Sequence, residues 1–277
     1  MKKNAALILL ILCTTLAFSQ KKEKIKGTKI VTISQRETGD FDAIQAEDNL
    51  EIYLERGEKN EIRIEADENL HEIIQFDLRD KMLRLYTSKE SSIFKKMVVH
   101  ITYTNTLSKV IAKNESRVYA IQEIVLDDIS FNSVDFSRLF LNVNSKKFNL
   151  VADDKSKAEI NLKAEEANLQ LSKNSTIKSL VSAVKFKCDL YQKSVATIEG
   201  LAEKGTVRID NNTTFTGTKF TIKNVNFTAE NYATGSVLAQ DSITLSISDK
   251  AEVSLLGSPK IELSRFSEEA KLFKKIK

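Results

Sequence analysis

The side chains able to do chemistry are few in this 277-residue chain. Its two histidines, His71 and His100, belong to no HExxH, CxxC or paired-histidine spacing, so no zinc-type ligand set can be written. There is no GxSxG elbow and no GxGxxG phosphate loop, and the many serines lack an evident base. Acidic pairs recur at Asp127-Asp128, Asp153-Asp154, Glu165-Glu166 and Glu268-Glu269. Calcium would need converging oxygens, and the Gly-x-Asp spacing of calcium-binding β-rolls is missing. Glycoside cleavage would need two carboxylates facing across a cleft, for which Asp189 and Asp210, about one repeat apart, are the candidates. An exported carbohydrate-cleaving enzyme normally shows aromatic platforms as well, and this chain has no tryptophan and six tyrosines. These residues point away from an enzyme and predict no catalytic, metal-binding or cofactor-binding residue.

The elements that would carry any site are legible from a ladder of Ser/Thr-x-apolar motifs. It runs through Ser116, Ser137, Ser156, Ser175, Ser194, Thr213 and Thr234, at intervals of 21, 19, 19, 19, 19 and 21 residues. Strand-type alternation fills the intervals, and a period of this size marks an all-β solenoid. A sandwich would place Gly, Pro or Asn-Gly at its tight reversals. Here the recurring punctuation is Asn, Asp, Lys or Gln just before the ladder residue, as in Asp154-Lys155-Ser156 and Asn211-Asn212-Thr213. Each coil rises by one strand spacing, so like positions stack. Val118, Leu139, Ala158, Ile177, Ala196 and Phe215 are expected to form an inward column, with the ladder hydroxyls just outside it bonding to one another up the stack. Cys188, between Phe186 and Leu190 on one strand face, reads as a buried, inert thiol.

The chain's ends read differently. Lys2-Lys3, the apolar run Ala5 to Leu12 and Ala17-Phe18-Ser19 form a signal peptide over residues 1–19, cleaved before Gln20. That run is too short for a spanning helix. Cys13 lacks the small residue that usually precedes a lipidated cysteine. Removal of Lys2 and Lys3 lowers the formal charge from +4 to +2, too balanced for a nucleic-acid surface. Residues 20–110 form an N-terminal β lobe, with hairpin-like strands at Leu50 to Leu54, Glu61 to Glu65 and around Leu83 and Leu85; residues 69–75 could instead make a short helical turn capped by Asn69. Residues 111–264 carry the solenoid repeats. Over 265–277, Phe266, Ala270 and Phe273 share a helical face, which suggests a short cap helix, with a charged tail as the alternative.

Several motifs carry a family resemblance: Phe41-Asp42-Ala43-Ile44, Leu50 to Leu54 with Gly57, Ile62 to Leu70, Leu83-Arg84-Leu85-Tyr86, and Leu256-Gly257-Ser258-Pro259-Lys260-Ile261. Together they resemble the exported head-GIN domain proteins of Bacteroidetes, labelled DUF2807 or auto-transporter adhesins, over roughly residues 30–265. The resemblance implies right-handed parallel β-helical layers in two lobes, joined near residues 105–130, and brings no catalytic residue that maps onto this chain. The chain departs from the family pattern by placing Ser116, Ser156, Ser175, Ser194 and Lys250 near turns where glycine is frequent, although non-glycine residues resist positive φ.

The expected protein is a non-enzymatic solenoid exported to the periplasm, outer membrane or cell surface, recognising a glycan or an envelope protein. The alternatives are a polysaccharide-acting enzyme on the same scaffold and a purely structural envelope component. Lys157, Lys178 and Lys193, alternating with Asp154, Glu159 and Glu199, line the polar face that such recognition would use.

Overall fold

The computed structural model describes residues 22–275; the signal peptide read over 1–19 lies outside the described residues. The described chain is built from parallel stacked coils forming a β-solenoid of about nine turns. None of its helices is long and apolar enough to cross a membrane.

A long bent strand makes each coil in the second half: Arg117–Ser133, Arg138–Ala152, Lys157–Leu171, Thr176–Leu190, Val195–Ile209, Thr214–Ala229 and Thr234–Ile247, each parallel to the next. Period-2 alternation buries one side of the ribbon. In Lys157–Leu171 the inward residues are Ala158, Ile160, Leu162 and Ala164, then Ala167, Leu169 and Leu171. The phase slips at Glu165-Glu166, where two successive residues face out and the ribbon turns its corner. Val118, Leu139, Ala158, Ile177, Ala196 and Phe215 are successive register partners, all at most 2% exposed. Each buried Leu or Ile contributes about 1.5–3 kcal/mol relative to an exposed one. Gly235 follows Phe215 in this column, where an added Cβ would come within 2.6 Å of the Phe227 ring. Phe227, packed edge to face on Phe215 at 5.9 Å, and Ile209 have taken its volume.

The other corner, between coils, explains the punctuation. Pairs of consecutive residues have positive φ: Asn114/Glu115, Asp135/Phe136, Asp154/Lys155, Lys173/Asn174, Gln192/Lys193, Asn211/Asn212 and Asn231/Tyr232. The residue after the pair donates its N–H to the residue before it, as in Ser156 to Asp153 O at 3.2 Å and Ser194 to Tyr191 O at 3.2 Å. Two central residues at positive φ with this bond make a type I′ turn, a geometry that Asn and Asp tolerate best after Gly. Corner amides then bond from coil to coil: Phe136 N to Asp154 O, Lys155 N to Lys173 O, Asn174 N to Gln192 O and Lys193 N to Asn211 O, all 3.0–3.1 Å. The strain of αL side chains is thus offset by a continuous hydrogen-bonded stack, and these paired corners dispense with glycine.

Layers at the N-terminal end are stacked out of chain order. Ala43–Ala46 and Glu51–Arg56 lie between Met82–Thr87 and Met97–Tyr103 on one side and Lys109–Ala112 and Arg117–Ser133 on the other, all parallel. Beyond them the pairing becomes antiparallel: Glu61–Asp67 on Met97–Tyr103, Val31–Glu37 on Glu61–Asp67, and Ile74–Arg79 on Met82–Thr87. The helical turn considered for 69–75 is one 3-10 turn, Glu68–Leu70, after which a strand begins at Ile74. Asn69 does not cap it; its amide donates to Lys26 O at 2.8 Å and its carbonyl accepts from Thr28 N at 3.0 Å.

The cap helix expected over 265–277 is absent from the described residues. Ser267 to Ala270 make a further corner, with Glu268 at φ 59°, and Lys271–Lys274 is a strand parallel to Glu252–Leu256. A helix this short is marginal alone, whereas the strand satisfies an open edge and places Leu272 opposite Val253.

Candidate functional site

The ladder residues sit inside the corners. Ser116, Ser137, Ser156, Ser175 and Ser194 are fully buried and Thr213 is 1% exposed. Their hydroxyls do not bond to one another from coil to coil as expected. Ser116 donates to Ala46 O at 3.1 Å, Ser175 to Ala152 O at 3.0 Å and Ser194 to Leu171 O at 3.3 Å; Ser137 shares a 2.8 Å bond with Ser133 of its own coil. Ser156 and Thr213 hydroxyls have no partner among the described residues. Thr234 is not a ladder residue. It is exposed and pairs in register with Thr214, because the corner position of that coil has passed to Ala233. The ladder is therefore corner structure, inaccessible to a ligand.

The carboxylates considered for chemistry are engaged elsewhere. Asp189 is held by Lys187 at 3.2 Å, and Asp210 accepts from Asn231 at 2.8 Å in a corner. Asp127, Asp153 and Glu166 pair with Lys146, Lys173 and Lys185 one coil on. Among the described residues, no group of three or more His, Cys, Asp or Glu side chains is arranged to hold a metal ion. Cys188 is fully buried, and desolvation pushes its thiol far above the usual range, so it is unreactive.

What the fold does assemble is a column of aromatic rings on the outer surface. His100, Tyr53, Tyr119 and Phe140 are successive register partners and stack with centroids 5.3, 4.8 and 4.9 Å apart and interplanar angles of 24°, 14° and 5°. The strand spacing sets the ring spacing. His100 closes one end, with Nδ1 2.6 Å from Glu55 and Nε2 3.9 Å from Glu65. Lys96 bonds Glu65 at 2.8 Å and holds its carboxyl below the usual range.

Past Phe140 the column continues as Glu159, Lys178 and Thr197, and beside it runs Asn142, Asn161, Leu180 and Glu199. These two columns line a groove of about 540 Å³. Its ends coincide with breaks in register. At one, the coil of Arg117–Ser133 bulges between Ala120 and Ile124 and throws out Ile121, 74% exposed; at the other, pairing slips between Thr197 and Glu199. Bulges that re-aim side chains are frequent beside functional sites. A ring, two carboxylates (Glu199 held by Lys219), an ammonium and two amides in one shallow trough suit a ligand rich in hydroxyls with an apolar face. A larger hollow of about 760 Å³ nearby is lined by three cations and three acids, of which Lys146 and Asp127 pair with each other.

Sequence reasoning named Glu159, Lys178 and Glu199 of this groove, placed Asp154 and Lys193 of the corners on the same face, and missed the aromatic column. Tyr119 and Phe140 carry a signal, each two residues after a basic residue and one interval apart. Tyr53 and His100 carry none, because their layers stack out of order.

The chain matches, over residues 40–259, the family model DUF2807, described as "Putative auto-transporter adhesin, head GIN domain". It belongs to that family. Among solved structures it is similar to a "putative adhesin" from Parabacteroides merdae, with 18% identity, 92% of this chain and 98% of that one covered, and a TM-score of 0.64. A "putative adhesin" from Parabacteroides distasonis shares 14% identity over 91% and 100% of the two chains, with a TM-score of 0.69. A "Putative lipid binding protein" from the same species shares 12% over 92% and 98%, with a TM-score of 0.58. At these identities the likeness is one of fold. No curated protein matches the chain.

Proposed function

We propose that this protein is an exported, adhesin-like recognition module without catalytic activity, and that the groove beyond Phe140 holds a saccharide chain. Export is supported by the leader-like residues 1–19, and adhesion by the family description and the names of the similar structures. The observation that carries the reading is the juxtaposition of the Phe140 ring with Glu159, Asn142 and Asn161 in one open trough. Aromatic rings bury the C–H face of a sugar, while carboxylates and amides take its hydroxyls. Asp189 is paired with Lys187 and Asp210 with Asn231, which weighs against the enzymatic alternative built on those two carboxylates. A glycan array probed with the purified mature chain tests the proposal. Binding at micromolar concentration, reduced at least tenfold in Phe140→Ala at unchanged thermal stability, is expected. Silence on the array together with an empty envelope pull-down overturns it.

A further inference from the structure

Surface charge on the solenoid is ordered by coil. A cation on one coil meets an acid on the adjacent coil in Lys146–Asp127 (3.0 Å), Lys173–Asp153 (2.9 Å), Lys185–Glu166 (2.7 Å), Lys219–Glu199 (3.3 Å) and Lys223–Glu203 (3.3 Å). One column breaks this order. Arg117, Arg138 and Lys157 are successive register partners, so three cations stand one above another. At a spacing of about 4.8 Å, like charges directly opposite one another are destabilising. Arg117 is neutralised by Glu51 at 2.7 Å. Arg138 and Lys157 are exposed and form no ion pair among the described residues. The other register pair of cations, Lys185 with Lys204, has one member held by Glu166. Asp135 and Asp154, the nearest preceding acids, lie in the αL corners.

The unneutralised pair lies beside the groove, outside its lining. Arg138 is two residues before Phe140 and Lys157 two before Glu159, so on a strand their side chains project from the same surface as the groove's first column. Stability alone gives no reason to stack two free cations there. An anionic ligand does, because it would neutralise both at once, and a guanidinium fork matches a carboxylate in two parallel hydrogen bonds.

Building on the saccharide reading above, we propose that the ligand is an acidic polysaccharide, with Arg138 and Lys157 taking its carboxylates while Phe140 and the groove amides take the sugar rings. A single-stranded nucleic acid fits less well: the aromatic rings stack on one another and leave no slots between them for bases.

The test measures binding of the purified mature chain to polygalacturonate and alginate, to dextran as a neutral chain and to poly-glutamate as an acid without sugar rings. The acidic polysaccharides are expected to bind at least tenfold tighter than dextran or poly-glutamate and to weaken severalfold as salt rises. The double variant Arg138→Gln/Lys157→Gln is expected to lose tenfold or more toward the acidic chains while melting no lower than wild type, since it removes a like-charge contact, whereas Lys185→Gln/Lys204→Gln on the other surface keeps full affinity. Equal binding of poly-glutamate reduces the effect to bulk charge and overturns the inference. Equal binding of dextran overturns it too, while leaving saccharide recognition standing. Loss in the Lys185/Lys204 variant, with none in the Arg138/Lys157 variant, moves the site elsewhere and overturns it. Failure of every polysaccharide overturns this inference, and the glycan array with the envelope pull-down then decides separately whether saccharide recognition stands.

Discussion

The rings of Tyr119 and Phe140 lie 4.9 Å apart and within 5° of parallel, although they belong to successive coils of the chain. Tyr119 stacks equally on Tyr53, so it ties the out-of-order N-terminal layers to the regular coils. Each aromatic pair is worth about 0.5–1.5 kcal/mol beyond its buried area. Tyr119→Ala is therefore expected to lower stability by roughly 1–3 kcal/mol, and Tyr119→Phe to leave it nearly unchanged. Urea midpoints check this, and equal midpoints for Tyr119→Ala and wild type would refute the role given to the stack.

Neighbouring positions at one corner should respond in opposite ways. Ala233 is fully buried, while Thr234 projects to solvent. Ala233→Lys buries a charge without a partner and is expected to abolish cooperative folding, as is Ala196→Lys in the inward column. Thr234→Lys is expected to melt within a few degrees of wild type. Thermal denaturation of the three variants decides the matter.

Asp67 gives the fold an acid-sensitive clasp. Its buried carboxylate accepts backbone N–H groups from Lys29 at 2.8 Å, Lys95 at 3.1 and 3.2 Å, and Lys96 at 3.0 Å. Burial alone would raise its pKa, but the amides of Lys96, Lys29 and Lys95 outweigh that and hold it below the usual value. A carboxyl whose folded pKa is lowered stabilises the protein fully above its unfolded value of about 3.9, and that contribution is lost as pH falls through the folded value. Wild type should thus lose melting temperature steeply on acidification below about pH 4. Asp67→Asn should melt lower at pH 7 and show a shallower decline. Parallel slopes for the two proteins would remove Asp67 from the account.

Lys193 sits at φ 63° in a corner, a conformation costing a non-glycine residue about 1–2 kcal/mol. Lys193→Gly relieves this strain at some cost in unfolded-chain entropy. A net gain of about 0.5 kcal/mol is expected, read as a higher urea midpoint, and a clear loss would show that the side chain supports the corner.

The solenoid was legible in the sequence because its repeat interval equals one coil, so residues that face each other are evenly spaced in the chain. The corners were half legible. Their Asn, Asp and Lys punctuation is visible, but that two successive residues sit at positive φ depends on hydrogen bonds from adjacent coils. The final corner was misread for a physical reason: Phe266, Ala270 and Phe273 fit a helical period as well as a strand–corner–strand path, and only the open edge of Glu252–Leu256 decides between them. The aromatic column stayed hidden because Tyr53 and His100 reach Tyr119 through layers that the chain lays down out of sequence.

That interleaving dictates how a nascent chain can fold. Residues 43–56 find their register partners only when 82–103 and 109–119 have emerged, so this segment cannot complete its pairing until those later strands exist. From Arg138 onward each new turn settles on a finished template. Closure of the N-terminal layers thus depends on strands made after them, whereas the later coils depend only on what precedes them.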